Sequence, residues 1–107
     1  MIEVVDVSPG GRDALEVETT LDGVTIRITL RWLPRITAWV YQVLDADGVA
    51  LGMQRAVRPG AWIRLDRRDP RVPPGWLTWS RCPEPYERAD LGVALQLEYL
   101  PASTATT

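Results

Sequence analysis

The chain has 107 residues, with 12 basic and 14 acidic side chains, a net charge of −2 and an apolar fraction of 46%. A chain of this length forms one domain and buries roughly two thirds of its unfolded surface, enough for a core without staples. The charge balance argues against a nucleic-acid binder, and no run approaches the ~20 apolar residues of a membrane span.

The missing residue types exclude more. There is no His, Lys, Phe or Asn, and all twelve basic residues are Arg. Two readings of the Arg bias stay open: the codon usage of a GC-rich genome, and selection for Arg at protein interfaces, where its planar fork pairs with carboxylates and stacks on aromatics. Without His, the usual general base and the commonest metal ligand are gone. Cys82 is the single cysteine, so no disulfide can form within the chain and no thiolate metal site is available. With no His to activate it, Cys82 reads as inert. No catalytic residue, metal or cofactor is therefore expected, and the chain is not expected to be an enzyme.

In chain order, residues 1–10 carry Glu3 and Asp6 and no basic start, so no signal peptide is expected. Residues 2–7 alternate weakly and suit an edge strand, which Ser8-Pro9-Gly10-Gly11 breaks. A second strand is predicted over 15–20, and Asp22-Gly23 is a strong hairpin signal. Residues 24–32 alternate strictly: Val24, Ile26, Ile28, Leu30 and Trp32 are apolar, whereas Thr25, Arg27, Thr29 and Arg31 are polar. Period two means one buried face and one wet face. Pro34 ends that strand. Residues 38–44 follow, with Trp39, Tyr41 and Val43 on one face and Val40 and Leu44 on the other, which predicts a central or doubly covered strand.

Asp45-Ala46-Asp47-Gly48 looks like the start of a calcium loop. Such a loop needs Gly at its sixth position and Glu at its twelfth, and these are Ala50 and Ala56. A tight turn is expected instead. A strand broken by Gly52 is predicted over 49–57, then a Pro59-Gly60 turn and a strand over 61–66. Residues 67–75 read as a loop in which Pro74-Gly75 suits the centre of a type II turn. A short strand over 76–79, an irregular connection over 80–92 and a strand over 93–100, with Val93, Leu95, Leu97 and Tyr99 on one face, complete the pattern. Turn signals roughly every ten residues predict an all-β fold: a small antiparallel sandwich or barrel of about seven or eight strands with no long helix. The domain is expected over 1–101, with a short disordered tail over 102–107.

Five Trp are many for this length, and their faces matter more than their number. Trp32 and Trp39 are in phase with apolar neighbours and read as core. Trp62 shares a face with Arg64 and Asp66, while Ala61, Ile63 and Leu65 take the other. Trp76 and Trp79 are three apart in a strand, so they face opposite ways and one should lie outside the core. An out-of-phase Trp has three open readings: covered by a folded-back loop, a protein–protein anchor, or a stacking platform for sugars or bases. Arg67, Arg68 and Arg71 form a basic loop offset by Asp66 and Asp69, suited to a rim of salt links. The candidate interface residues are thus Trp62, Arg64, Arg67, Arg68, Arg71, Trp76 and Trp79. The nearest acidic pairs, Asp45 with Asp47 and Asp66 with Asp69, sit in turn-forming positions and read as solvated caps.

The motifs LDGVTIRITLRW, AWVYQVLDADGVAL, RAVRPGAWI, DPRVPPGWL and DLGVALQLEYL, in that order over about 21–100, resemble the plug-domain family of phage baseplates. Each is a strand-and-turn signature, so no functional residue carries over with the resemblance. The chain departs from the family pattern in its Trp-rich 76–79 segment and in the 82–86 loop. The resemblance implies a small all-β virion protein, made in the host cytoplasm and placed at the distal end of a contractile tail tube. Its implied partners are hub, spike or tube proteins, or further copies of itself, within a larger symmetric assembly. It implies no enzymatic activity, cofactor, nucleic acid or membrane. A bacterial contractile injection system would suit the same resemblance. The alternative from a different class is a carbohydrate- or ligand-binding β module that uses an exposed Trp.

Overall fold

The computed structural model describes residues 3–63, 71–73, 75–82 and 86–100. Among the described residues, eight strands form two four-stranded antiparallel sheets that pack as a sandwich. β2 (Ala14–Leu21), β3 (Val24–Leu33), β4 (Ala38–Asp45) and β5 (Arg55–Ala56) make one sheet as a meander. β1 (Glu3–Val5), β8 (Leu97–Leu100), β7 (Trp76–Trp79) and β6 (Trp62–Ile63) make the other, in that order. The all-β prediction thus holds as an open sandwich, and helix among the described residues is limited to a single 3-10 turn at Arg88–Asp90.

The β2–β3 hairpin shows why the alternation matters. Asp22 and Gly23 both adopt positive φ, 51° and 79°, the two-residue geometry whose twist matches the strands it joins. The turn sets the register Leu21↔Val24, Val17↔Ile28 and Leu15↔Leu30, and β4 continues it with Ile28↔Val43 and Leu30↔Tyr41. A slip of one residue would turn Ile26, Ile28 and Leu30, all essentially inaccessible, out to water. On the wet face, Arg27 lies 3.8 Å from Glu16 and 3.6 Å from Glu18, pairs worth ~0–1 kcal/mol when this exposed.

The other sheet contributes Val5, Ile63, Leu77, Trp79, Leu97 and Tyr99 to the shared core. Three polar ties fasten the sheets and connections. The Tyr99 hydroxyl donates to Asp22 Oδ2 at 2.6 Å and accepts from Gly75 N–H at 2.8 Å. The Tyr86 hydroxyl accepts from Trp39 N–H at 3.1 Å and donates to the Val57 carbonyl at 2.7 Å. The Trp39 indole N–H donates to the Arg88 carbonyl at 3.1 Å. Trp39 is fully buried, as its phase predicts, and Trp32 packs edge-on to it, partly buried.

The observed elements differ from the predicted ones at three places. Over 49–57 only Arg55–Ala56 forms a strand, with an isolated bridge from Ala50 to Leu44. Asp45 Oδ1 captures the N–H groups of Asp47 and Val49, both at 2.9 Å, so the chain leaves its turn curled and meets β4 through single bonds such as Leu51 N–H to the Val43 carbonyl. The last strand starts at Leu97, not at 93. The Asp90 carbonyl accepts from both Val93 and Leu95, and Gly92 reverses the chain at φ 82°, which leaves Val93 73% exposed. Gly75 does not have the positive φ that the type II turn requires. Its need for glycine is space, since a Cβ there would lie 2.1 Å from the Leu100 carbonyl oxygen. Pro74, residues 64–66 of the predicted 61–66 strand, and the 102–107 tail lie outside the described residues.

Candidate functional site: the Trp62–Trp76 face

β6 is two residues long, and its alternation decides what it offers. Ile63 points inward opposite Leu77, and Trp62 points outward opposite Thr78. The strand is held by its neighbours: the Thr78 hydroxyl and Trp79 N–H both donate to the Ala61 carbonyl, at 2.9 and 3.0 Å. Gly60 N–H donates to the Trp79 carbonyl at 2.9 Å. Trp62 is thereby fixed on the outer face and is 58% exposed. The Trp76 ring meets it edge-to-face, with centroids 6.0 Å apart and planes at 87°. Such pairs contribute ~0.5–1.5 kcal/mol beyond area burial, so Trp76 orients the exposed indole.

The sheet order extends this surface. Trp76 pairs with Leu100 on β8, and Trp62, Thr78, Glu98 and Val4 form one row across all four strands. Val4 is 60% exposed. The outer face thus carries Trp62, Trp76, Leu100 and Val4 around the polar Thr78 and Glu98. Val4, Glu98 and Leu100 are invisible to a sequence reading of the site. Glu98 and Leu100 join it because β8 pairs with β7, and Val4 because β1 pairs with β8; the sole local trace is that Glu98 and Leu100 fall in the outward phase of their strand.

The sequence candidates separate. Trp62 and Trp76 come together at the surface. Trp79 does not join them, and its reading as an interface residue is corrected: it is 1% exposed and packs edge-on to Tyr41 at 5.5 Å inside the core. Its three-residue spacing from Trp76 forces opposite faces, and the inward face is the one that Leu77 shares. Arg71 is engaged in structure, its Nη1 lying 3.2 Å from Asp45 Oδ2. Arg64, Arg67 and Arg68 lie outside the described residues, as do Asp66 and Asp69.

Asp45 is the one buried carboxylate among the described residues. The Val49 N–H holds its pKa below the ordinary carboxylate value; burial opposes the shift, and the Asp47 N–H and Arg71 add to it. Both of its oxygens are occupied by the turn and by Arg71, so it acts as a turn cap, but a buried one rather than the solvated cap expected from the sequence. Burial raises the Tyr41 hydroxyl above its usual value, with Arg55 opposing the shift. Cys82 is partly buried against the core. Among the described residues no three of His, Cys, Asp and Glu cluster.

No protein-family model matches this chain, and no curated protein or solved structure does either.

Proposed function

We propose that the protein is a structural component of a phage tail baseplate, a plug or hub-associated subunit that acts by protein–protein packing and without chemistry. The observation that carries the reading is the exposed Trp62, propped by Trp76 on the outer face of the β6–β7–β8–β1 sheet. A soluble protein rarely leaves a large indole open within an apolar patch unless a partner covers it. Trp is the residue most enriched where alanine substitution weakens protein complexes. The ordered strand-and-turn motifs over 21–100 supply the baseplate half of the reading, and hub, spike or tube proteins are its partners.

A glycan-binding module is the second reading, favoured by one feature: Thr78 and Glu98 lie in the same row as Trp62 and could orient a sugar hydroxyl. Protein docking is preferred because Trp76, Leu100 and Val4 widen the apolar area beyond a single stacking ring.

The test is Trp62→Ala, assayed by co-purification with the hub, spike and tube proteins encoded in the same genome. The variant keeps its fold and a melting temperature near that of the parent. It loses ~2 kcal/mol or more at one interface, about thirtyfold in affinity. Unchanged co-purification overturns the reading, and a change in Trp fluorescence on adding oligosaccharides favours the alternative.

A further inference from the structure

A second surface lies at the end of the sandwich where the chain crosses from β5 to β6. A groove of about 610 Å3 is lined by Ile36, Ala38, Ala56, Val57, Arg58 and Tyr86. Its walls are mostly apolar, and no carboxylate lines it among the described residues. Ile36 stands at its lip, 53% exposed.

The lip is strained. Thr37, which also lines the groove, has φ 47°, a left-handed conformation that β-branched residues rarely adopt. Turn bonds from Ile36 N–H to the Leu33 carbonyl and from Thr37 N–H to the Pro34 carbonyl hold it there, and the result is to present Ile36 at the surface. Strain of this kind concentrates at ligand clamps and binding loops.

The charge around the groove is unbalanced. Arg58 in its wall and Arg35, exposed beside Ile36 in the same turn, form no ion pair among the described residues. Five of the chain's 14 carboxylates are engaged elsewhere among the described residues. Glu16 and Glu18 flank Arg27, Asp13 pairs with Arg88, Asp45 pairs with Arg71, and Asp22 accepts from Tyr99. No carboxylate of the chain pairs with Arg58 or Arg35 among the described residues, so an acidic segment of a partner would meet two open guanidinium groups.

We propose that this groove is a second docking site, for an extended acidic segment of a partner protein whose apolar side chains fill it and whose carboxylates pair with Arg58 and Arg35. The site uses residues distinct from the Trp62 face and does not depend on the baseplate reading.

The test titrates the full chain with a fluorescently labelled ten-residue peptide of alternating Glu and Leu, followed by anisotropy and by amide chemical shifts. Alternating Glu–Ser and Lys–Leu peptides serve as controls. The Glu–Leu peptide binds, and the shifts cluster at Ile36, Thr37, Ala56 and Arg58. Binding weakens by about tenfold or more with Glu–Ser, in the double variant Arg35→Ser/Arg58→Ser, and on raising salt. Ile36→Ser, a change on an exposed turn, weakens binding with the charges intact. The proposal is overturned if Lys–Leu binds as tightly, if neither variant weakens binding, or if the shifts map elsewhere. It is also overturned if sedimentation shows the free chain dimerising through these same residues, since the occupant is then a second copy.

Discussion

Removing one oxygen atom from Tyr86 tests how the 80–92 connection is tied to the β2–β5 sheet. Tyr86→Phe keeps the ring, which is buried in the core cluster, and deletes the hydroxyl that accepts from Trp39 N–H and donates to the Val57 carbonyl. Both residues are essentially inaccessible, at 0% and 2% exposure, so two buried backbone groups lose their partner at once. An orphaned buried polar group costs ~1–3 kcal/mol. Val57, Ala38 and Tyr86 also line the open groove, through which water can partly replace the lost hydroxyl. The expected loss is therefore about 2–4 kcal/mol. In a domain of this size that lowers the melting temperature by roughly 8–20 °C. The assay is urea and thermal unfolding followed by circular dichroism, with the urea dependence unchanged because the same surface is exposed on unfolding. A loss below about 0.5 kcal/mol, typical of a surface substitution, would refute the reasoning and show that the two backbone groups find other partners.

Three further outcomes are expected. Ile28→Ala, at a fully buried position, costs ~2–5 kcal/mol, whereas Arg27→Ala, which removes only long ion pairs to Glu16 and Glu18, stays within about 1 kcal/mol; equal shifts in the urea midpoint would mean that the β3 register is wrong. Gly75→Ala destabilises by ~1–3 kcal/mol, because its Cβ would lie 2.1 Å from the Leu100 carbonyl oxygen, and a neutral result in chemical denaturation would contradict that close approach. The carboxyl of Asp45 has a folded pKa below its ordinary 3.8, so the stability it contributes is complete above that value and is lost as pH falls through it toward the folded pKa. Asp45→Asn should therefore unfold with a shallower acid dependence than the parent, and identical acid-unfolding curves would show that the turn does not depend on the charge.

How much of the site was legible follows from which interactions are local. Trp62 was readable as outward-facing, because a strand alternates whatever its partners are, and Ile63 beside it is in the buried phase. For the Trp76 and Trp79 pair, alternation says only that they face opposite ways. Which one is buried depended on the packing of β7 against the Tyr41 side of the other sheet. The groove carried almost no local signal. Ile36 reads as one apolar residue in a turn, and its neighbours Val57 and Tyr86 arrive from distant segments.

By itself the sequence determined the class, most strand positions and the β2–β3 hairpin. These depend on period-two alternation and on the left-handed conformations that Asp22 and Gly23 tolerate, both properties of a few adjacent residues. Only the tertiary structure decided that β8 pairs with β7 and β1 with β8, which together assemble Glu98, Leu100 and Val4 around the Trp pair. It also decided that Gly75 is required for space rather than for its backbone angle, and that 93–95 curls into a turn instead of extending the last strand. In each case the deciding contact joins residues far apart in the chain or competes with the ladder for the same backbone groups. A pattern read along one strand carries no information about which of those contacts wins.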